Sequence, residues 1–243
     1  MPAGMGGSLK WPVTAQPVFS TSSTQYHPIG TRGEDRFGRV FRYCLAGGTT
    51  LVAGNCLQAP AQLADHQDMT PSAAAIDDKT ISVTPGATAG AADLYAGGIA
   101  VIDTTPGLGY SYPVNTHLAI TASTLFVLQL AAGWTIQVAL TATSRVSLYS
   151  NPYANVIQTP VTTLTNIVVG ACVYPITNAQ YGWVGVHGHF GTLIQGTPAV
   201  ANSLSCPATA AGAAAINSGT LPIIGTIMDT GQDGKVEGVF WLL

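Results

Sequence analysis

The first clear pattern in the chain is the stretch FGRVFRY, residues 37–43. Its bulky apolar residues share one face of an extended chain: Phe37, Phe41 and Tyr43. Two basic residues, Arg36 and Arg42, lie on the other face, and Val40 falls off the apolar face. Because successive side chains of a strand point to opposite sides, this alternation predicts a β-strand.

Similar short apolar runs recur at roughly ten-residue spacing, a spacing typical of sandwiches and barrels. They lie at residues 80–84, 98–103, 110–114, 124–130, 134–140, 167–173, 181–186, 223–228 and 236–243. Glycine and proline separate these runs and favour turns between them. The sequence therefore predicts a mainly β fold, with a β-barrel or β-sandwich body.

Residues 118–144 carry no charge and are long enough to span a bilayer as a helix. However, Gln129 and Gln137 interrupt the segment, and Gly133 and Trp134 break it in the middle. Its two halves alternate like strands on either side of a turn. We therefore expect no membrane contact.

Composition changes along the chain predict an extended N-terminal arm at residues 1–35, followed by two small β domains at 36–158 and 159–243. The arm contains four prolines and lacks a regular period, which is typical of an extended segment. Three aromatic residues in it are expected to pack on a neighbouring subunit: Trp11, Phe19 and Tyr26. A second break, at residues 150–160, separates the two domains.

The chain is poor in charge, since only 8% of its residues are charged, whereas an ordinary soluble domain has roughly 25%. Between Asp103 and Asp229 the only charged residue is Arg145. A monomer needs surface charge to stay soluble, so this composition indicates a surface covered by other protein subunits. Catalysis by an exposed active site is not expected.

Half of the eight basic residues lie in one short stretch: Arg32, Arg36, Arg39 and Arg42. Glu34 and Asp35 lie among them, and the net charge of the whole chain is −3. A mixed patch on an acidic chain favours a protein partner over nucleic acid. We therefore expect these arginines to lie in a protein interface.

No group of residues has the pattern of a catalytic or metal site. His187 and His189 share a strand face but lack a third ligand, and Asp229 to Asp233 is better explained as a turn than as a calcium loop. Asp65, His66 and Asp68 form an acid–base cluster without a nucleophile. The expectation is a protein without a catalytic residue, metal or cofactor.

The four cysteines, Cys44, Cys56, Cys172 and Cys206, have no C-x-x-C spacing. A disulfide is most plausible between Cys44 and Cys56. Free, partly buried thiols are expected instead, because a chain of this size does not need disulfides and has no signal peptide.

Several passages together resemble the decoration (cement) proteins of tailed phages. They are GRVFRYCLAGG at 38–48, LVAG at 51–54, LQ at 57–58, YAGG at 95–98, NPY at 151–153, QYGWV at 180–184, the small residues 211–213 and the closing aspartate–glycine hairpin. The resemblance covers most of the chain after residue 36 and contains no catalytic signature.

This resemblance implies a β-rich homotrimer on the outer capsid surface that clamps neighbouring major capsid protein subunits, after a period in the host cytoplasm. No functional residues transfer from it. The interface residues predicted here are Trp11, Phe19, Tyr26, Arg32, Arg36, Arg39 and Arg42.

Two other functions are compatible with the sequence. A phage tail, fibre or spike component that binds a host surface glycan would also be β-rich and rich in glycine. A carbohydrate-binding β module would need a face of exposed aromatic residues, for which the candidates are Trp134, Tyr149, Tyr153, Tyr181 and Trp183.

Overall fold

The computed structural model describes residues 16–243. Strands account for 38% of the residues and helix for 1%, so the predicted mainly β fold is confirmed. The chain divides into two compact units. Unit 1 contains residues 16–61 and Pro152–Leu243, and unit 2 contains Gln62–Asn151.

The strands are short and follow one another with only one single-turn helix, Ala64–His66, among the described residues. In chain order they are β1 Arg32–Glu34, β2 Val40–Leu45, β3 Cys56–Gln58, β4 Thr80–Val83, β5 Ile99–Ile102, β6 Ser111–His117, β7 Phe126–Leu130, β8 Val146–Tyr149, β9 Ile157–Gln158, β10 Val168–Cys172, β11 Tyr181–Leu193, β12 Ser203–Ser205, β13 Ala215–Ile216, β14 Ile223–Ile227 and β15 Val236–Leu242.

Unit 1 is built around the long strand β11. The order of its antiparallel sheet is β13-β12-β14-β15-β11-β10-β3-β9, with β2 paired to β11 and β1 paired to β2. Gly185 of β11 faces Phe41 of β2 on one side and Ala171 of β10 on the other. Further along β11, residues 187–193 pair with β15. This strand therefore holds most of the sheet together.

Both faces of β11 are buried over residues 182–186. Trp183 packs into an apolar cluster with Phe41 and Trp241, whereas its neighbour Val184 packs into a second cluster on the other face. The next residue, Gly185, leaves space for the ring of Phe190, because a Cβ atom at this position would lie 2.6 Å from that ring. Unit 1 therefore has two apolar layers that share one sheet.

Unit 2 has the strand order β4-β7-β6-β5-β8, and residues 69–71 connect the two edge strands. Met69 pairs with Val146 of β8, and Pro71 pairs with Val83 of β4. These bridges close the sheet into a small barrel around a single core. Its main core residues are Ile81, Val83, Ala100, Ile102, Tyr112, Val114, Leu128, Leu130, Val146 and Leu148.

The division of the chain differs from the predicted domains at 36–158 and 159–243. Unit 2 is inserted between β3 and β9, which pair with each other through Gln58 and Ile157. The boundary at residue 35 is absent as well, because β1 pairs with β2 and Val18 is buried in unit 1. The boundaries of the two units depend on pairing between strands that are distant in sequence, so they cannot be predicted from local composition.

Two strand predictions also need correction. Residue Phe37 precedes strand β2 and lies in a turn, where its side chain is exposed rather than buried. Residues 134–140 form no strand, although the preceding prediction at 124–130 is confirmed as β7. In the second case the apolar residues Ile136 and Leu140 are buried in the barrel core from irregular backbone.

Candidate interaction surface

The β1–β2 hairpin, residues 32–45, carries all four predicted arginines and turns at residues 35–39. The carboxylate of Asp35 accepts hydrogen bonds from the amides of Phe37 and Arg39, at 2.9 and 3.0 Å. The side chain of Arg39 donates to the same carboxylate at 2.7 Å. Gly38 has φ +78°, which favours glycine at this turn. Asp35 therefore fixes the hairpin turn, with Arg39 as its ion-pair partner.

The tip of this turn exposes an aromatic side chain that the sequence pattern places on the apolar face of a strand. Phe37 is 71% exposed, and the guanidinium carbon of Arg36 lies 4.8 Å from the centre of its ring. The signal that could have found it is the Asp-x-x-Gly pattern at residues 35–38, which is typical of turns. Phe37 is thus an additional candidate interface residue.

Arg32 and Arg42 lie directly opposite each other across β1 and β2. Together they line a cavity of about 270 Å³, called here the cationic pocket. Its other lining residues are Val40, Tyr153, Val186, His187 and Leu243. The structure therefore brings two of the four predicted arginines into one site.

Each of these two guanidinium groups is held in place by a neighbour. Arg32 forms an ion pair of 2.9 Å with Glu34, and Arg42 donates to the backbone oxygen of Gly30 at 2.9 Å. Arg42 also lies 5.8 Å from the ring centre of Tyr153. Burial raises the pKa of Tyr153 despite the opposing charge of Arg42, so its hydroxyl is neutral and can donate a hydrogen bond at pH 7.

Arg39 lines a different cavity, the apolar groove, which has a volume of about 550 Å³. Phe19 lies at the same groove, together with Phe190 and Val236. Arg36 lines neither of these two cavities and contacts the ring of Phe37. The predicted arginine patch is therefore divided among three locations on unit 1.

The described part of the predicted arm lies against its own unit. Gln16 accepts two hydrogen bonds from this unit. The hydroxyl of Tyr43 donates to its side-chain oxygen at 2.7 Å, and the indole of Trp183 donates to the backbone oxygen of Gln16 at 3.1 Å. Phe19 is 45% exposed and Tyr26 is 50% exposed, so both remain candidate interface residues. Trp11 lies outside the described residues.

The residues considered for metal binding have other structural roles. His187 and His189 flank the ring of Phe240, with ring centres 5.5 and 4.9 Å from it. Residues 233–234 form a turn, in which the amide of Lys235 donates to the backbone oxygen of Gln232 at 3.1 Å, and Asp233 accepts a hydrogen bond from the amide of Gly196. Within residues 16–243 no group of three or more potential metal ligands is present.

His66 of the proposed acid–base cluster belongs to the barrel core. It is fully buried, with one ring nitrogen 2.6 Å from the hydroxyl of Tyr95 and the other 2.9 Å from the oxygen of Thr88. The ring nitrogen that faces the carbonyl oxygen of Thr88 donates to it, because a carbonyl oxygen can only accept. This histidine therefore holds two loops of unit 2 together.

The four cysteines are buried and present as free thiols. Cys44 and Cys56 lie in different apolar clusters, so the pairing considered from the sequence does not join neighbours in the fold. Burial raises the pKa of Cys172 to about 12, which keeps its thiol protonated and unreactive.

One of the aromatic residues considered for a carbohydrate-binding face, Trp183, cannot take part in it. Trp183 has no exposed surface because it is part of the core of unit 1. Trp134 and Tyr149 belong to unit 2, whereas Tyr153 and Tyr181 belong to unit 1.

Among the described residues there is no helix long and apolar enough to cross a membrane. Comparison of the chain with known proteins gave no match to a protein-family model, to a curated protein or to a solved structure.

Proposed function

We propose that this chain is a structural protein of a virus particle that decorates the outer capsid surface as a homotrimer and clamps neighbouring major capsid protein subunits. The observation that carries the proposal is the apolar side-chain surface left exposed on a chain in which only 8% of the residues are charged.

Large apolar side chains are exposed on both units. The most exposed among the described residues are Leu118 at 84%, Phe37 at 71%, Leu108 at 62%, Ile167 at 61%, Ile76 at 59% and Val200 at 59%. On the barrel, Ile99 and Tyr149 face each other across β5 and β8, at 40% and 37% exposure. Ile99 and Tyr149 are thus adjacent, and contiguous apolar surface is typical of protein–protein contact sites.

The charged residues that would keep such a surface in water are sparse. The charged residues of unit 2 are two basic residues, Lys79 and Arg145, and six aspartates. Permanent interfaces are more apolar than transient ones, and many repeated weak contacts add up over a shell. A subunit assembled permanently into a capsid fits this surface better than a monomeric enzyme.

The test is the copy number of this protein per purified virus particle, measured by quantitative protein staining against the major capsid protein. We expect a ratio near one or a fixed simple fraction of the shell subunits, and a trimer by light scattering of the isolated protein. Only a few copies per particle would assign the protein to the tail or fibre. Absence from the particle would refute the proposal entirely.

A further inference from the structure

We propose that the cationic pocket is a binding site for the carboxylate of an acidic side chain, Asp or Glu, supplied by a partner protein. The identity of that partner as a capsid subunit rests on the proposed function. The chemistry of the pocket itself does not depend on it.

The first argument is the position of the two arginines. Arg32 and Arg42 form a directly opposed cross-strand pair, and like charges in this arrangement destabilise an antiparallel sheet. Glu34 neutralises Arg32, but Arg42 takes part in none of the ion pairs within residues 16–243. An incoming carboxylate between the two guanidinium groups would remove the repulsion.

The second argument is that the donors are already oriented. The contacts of Arg42 with Gly30 and Tyr153 fix its guanidinium group, so little side-chain freedom is lost on binding. A guanidinium group has five N–H donors in a planar fork that matches a carboxylate. The hydrogen bonds of Arg42 with the backbone oxygen of Gly30 and with the side chain of Tyr153 use only part of the five N–H donors and leave the others for a ligand.

The third argument concerns the size and walls of the pocket. A volume of about 270 Å³ accommodates one side chain rather than a polymer. Val40, Val186 and Leu243 provide apolar walls for the methylene groups of an Asp or Glu side chain. Nucleic acid is disfavoured because the chain has a net charge of −3, and among residues 16–243 only Arg32 and Arg42 bring an arginine or lysine side chain to the pocket.

The first experiment tests the pocket in the isolated protein, independently of any virus. The probe is the peptide Ac-Gly-Glu-Gly-Glu-Gly-NH2, titrated while the arginine side-chain N–H signals are followed by NMR, with the matching glutamine peptide as control. We expect saturable shifts at Arg32 and Arg42 with the glutamate peptide alone, weakened by salt. Absence of shifts, or equal shifts at Arg145 on unit 2, would overturn the inference.

The second experiment measures binding of variants to virus particles. Arg42→Gln should weaken binding about tenfold, whereas the matched variant Arg145→Gln should bind like the wild type. Glu34→Gln should bind more tightly than the wild type, because it removes the carboxylate that competes for Arg32. This gain distinguishes a binding site from a fold defect, since a damaged hairpin would lose affinity in every variant.

The two proposals can fail separately. If the wild type binds particles and both Arg42→Gln and Glu34→Gln bind equally well, the pocket inference is wrong and the capsid function stands. If the wild type is not found on particles but the glutamate peptide shifts Arg32 and Arg42, the capsid function is wrong and the carboxylate site stands.

Discussion

The two units bury the apolar side chains of their strands in different ways. Unit 2 closes a five-stranded sheet with residues 69–71 and has one core inside a barrel. Unit 1 keeps its sheet open and covers both faces of β11, so it has two apolar clusters. Strand β7 of unit 2 therefore has one buried face, whereas β11 of unit 1 is buried on both faces over residues 182–186.

This difference determines how well the strands of each unit can be predicted from alternating apolar residues in the sequence. Strand β7 of the barrel alternates strictly, with Phe126, Leu128 and Leu130 inside and Val127 outside. In β11, Trp183 and Val184 are adjacent and both buried, because each faces a different cluster. Alternation is a reliable signal only where one face of a strand meets solvent.

The surfaces differ as well. Unit 1 carries the arginine hairpin, the cationic pocket and the apolar groove. Unit 2 presents apolar side chains such as Ile99 and Tyr149 on its outer wall. In the proposed assembly, the cationic pocket of unit 1 would bind an acidic side chain, and the outer wall of unit 2 would contact an apolar surface.

The largest effect is expected from Trp241→Ala in unit 1. The indole has no exposed surface and donates to the hydroxyl of Thr192 at 2.8 Å, so its loss should reduce the free energy of unfolding by about 3–5 kcal/mol. Urea denaturation measures the loss, and hydrogen exchange should place it in unit 1. The neighbouring Phe240→Ala is the control and should cost less, because Phe240 is only partly buried. Equal losses would mean that the burial pattern of β15 is misassigned.

A somewhat smaller effect is expected from Leu128→Ala in unit 2. This side chain is fully buried in the barrel, so removing it should cost about 3 kcal/mol and increase hydrogen exchange in residues 62–151. Val127→Ala, on the outer face of the same strand, should change stability by less than about 0.5 kcal/mol. If Leu128→Ala destabilised both units equally, the division into two separately packed units would be wrong.

A local effect is expected at the hairpin. Asp35→Ala removes the acceptor of two turn amides and the ion-pair partner of Arg39, which should cost about 1–3 kcal/mol. Hydrogen exchange should rise at residues 32–45 while the barrel is unaffected. Asp229→Ala serves as a control, since its exposed carboxylate accepts from the adjacent amide of Thr230. No change at the hairpin would show that Asp35 does not organise the turn.

The smallest effect is expected from a surface carboxylate of the barrel, Asp93. Hydrogen bonds from the hydroxyl of Thr116 and the amide of His117 lower the pKa of this carboxyl group. Since the ordinary pKa of aspartate is about 3.9, its contribution to stability is present above that pH and lost as the pH falls through the lower folded value.

Asp93→Asn should therefore lower the melting temperature at pH 7 slightly, and this difference from the wild type should shrink on acidification below about pH 4. Asparagine tolerates the positive φ of +58° at this position, so the backbone is preserved. Asp77→Asn is the control, because it makes the same substitution at another aspartate whose backbone is in the left-handed region, with φ +71°. A difference that persists at low pH would contradict the assigned hydrogen bonds.

Much of the strand content was predictable because short apolar runs between glycine and proline have few alternatives to β structure. The predictions for β4, β5, β7, β10, β14 and β15 match the structure closely, and the turn at Asp233 and Gly234 precedes β15 as expected. The hairpin arginines were also identified, since their clustering is visible in the sequence alone. The sequence did not predict that these arginines are divided among separate places, with Arg39 at the apolar groove and Arg42 at the cationic pocket.

The sequence by itself determined the mainly β class, the low charge and the position of the basic stretch, because these depend on composition and local period. Tertiary structure alone decided that residues 62–151 form an inserted barrel and that Arg32 lies opposite Arg42. It also decided that Phe37 lies at an exposed tip while Trp183 lies in the core. The physical reason is that register, sheet closure and burial on a second face depend on pairing between residues distant in sequence, which local patterns do not encode.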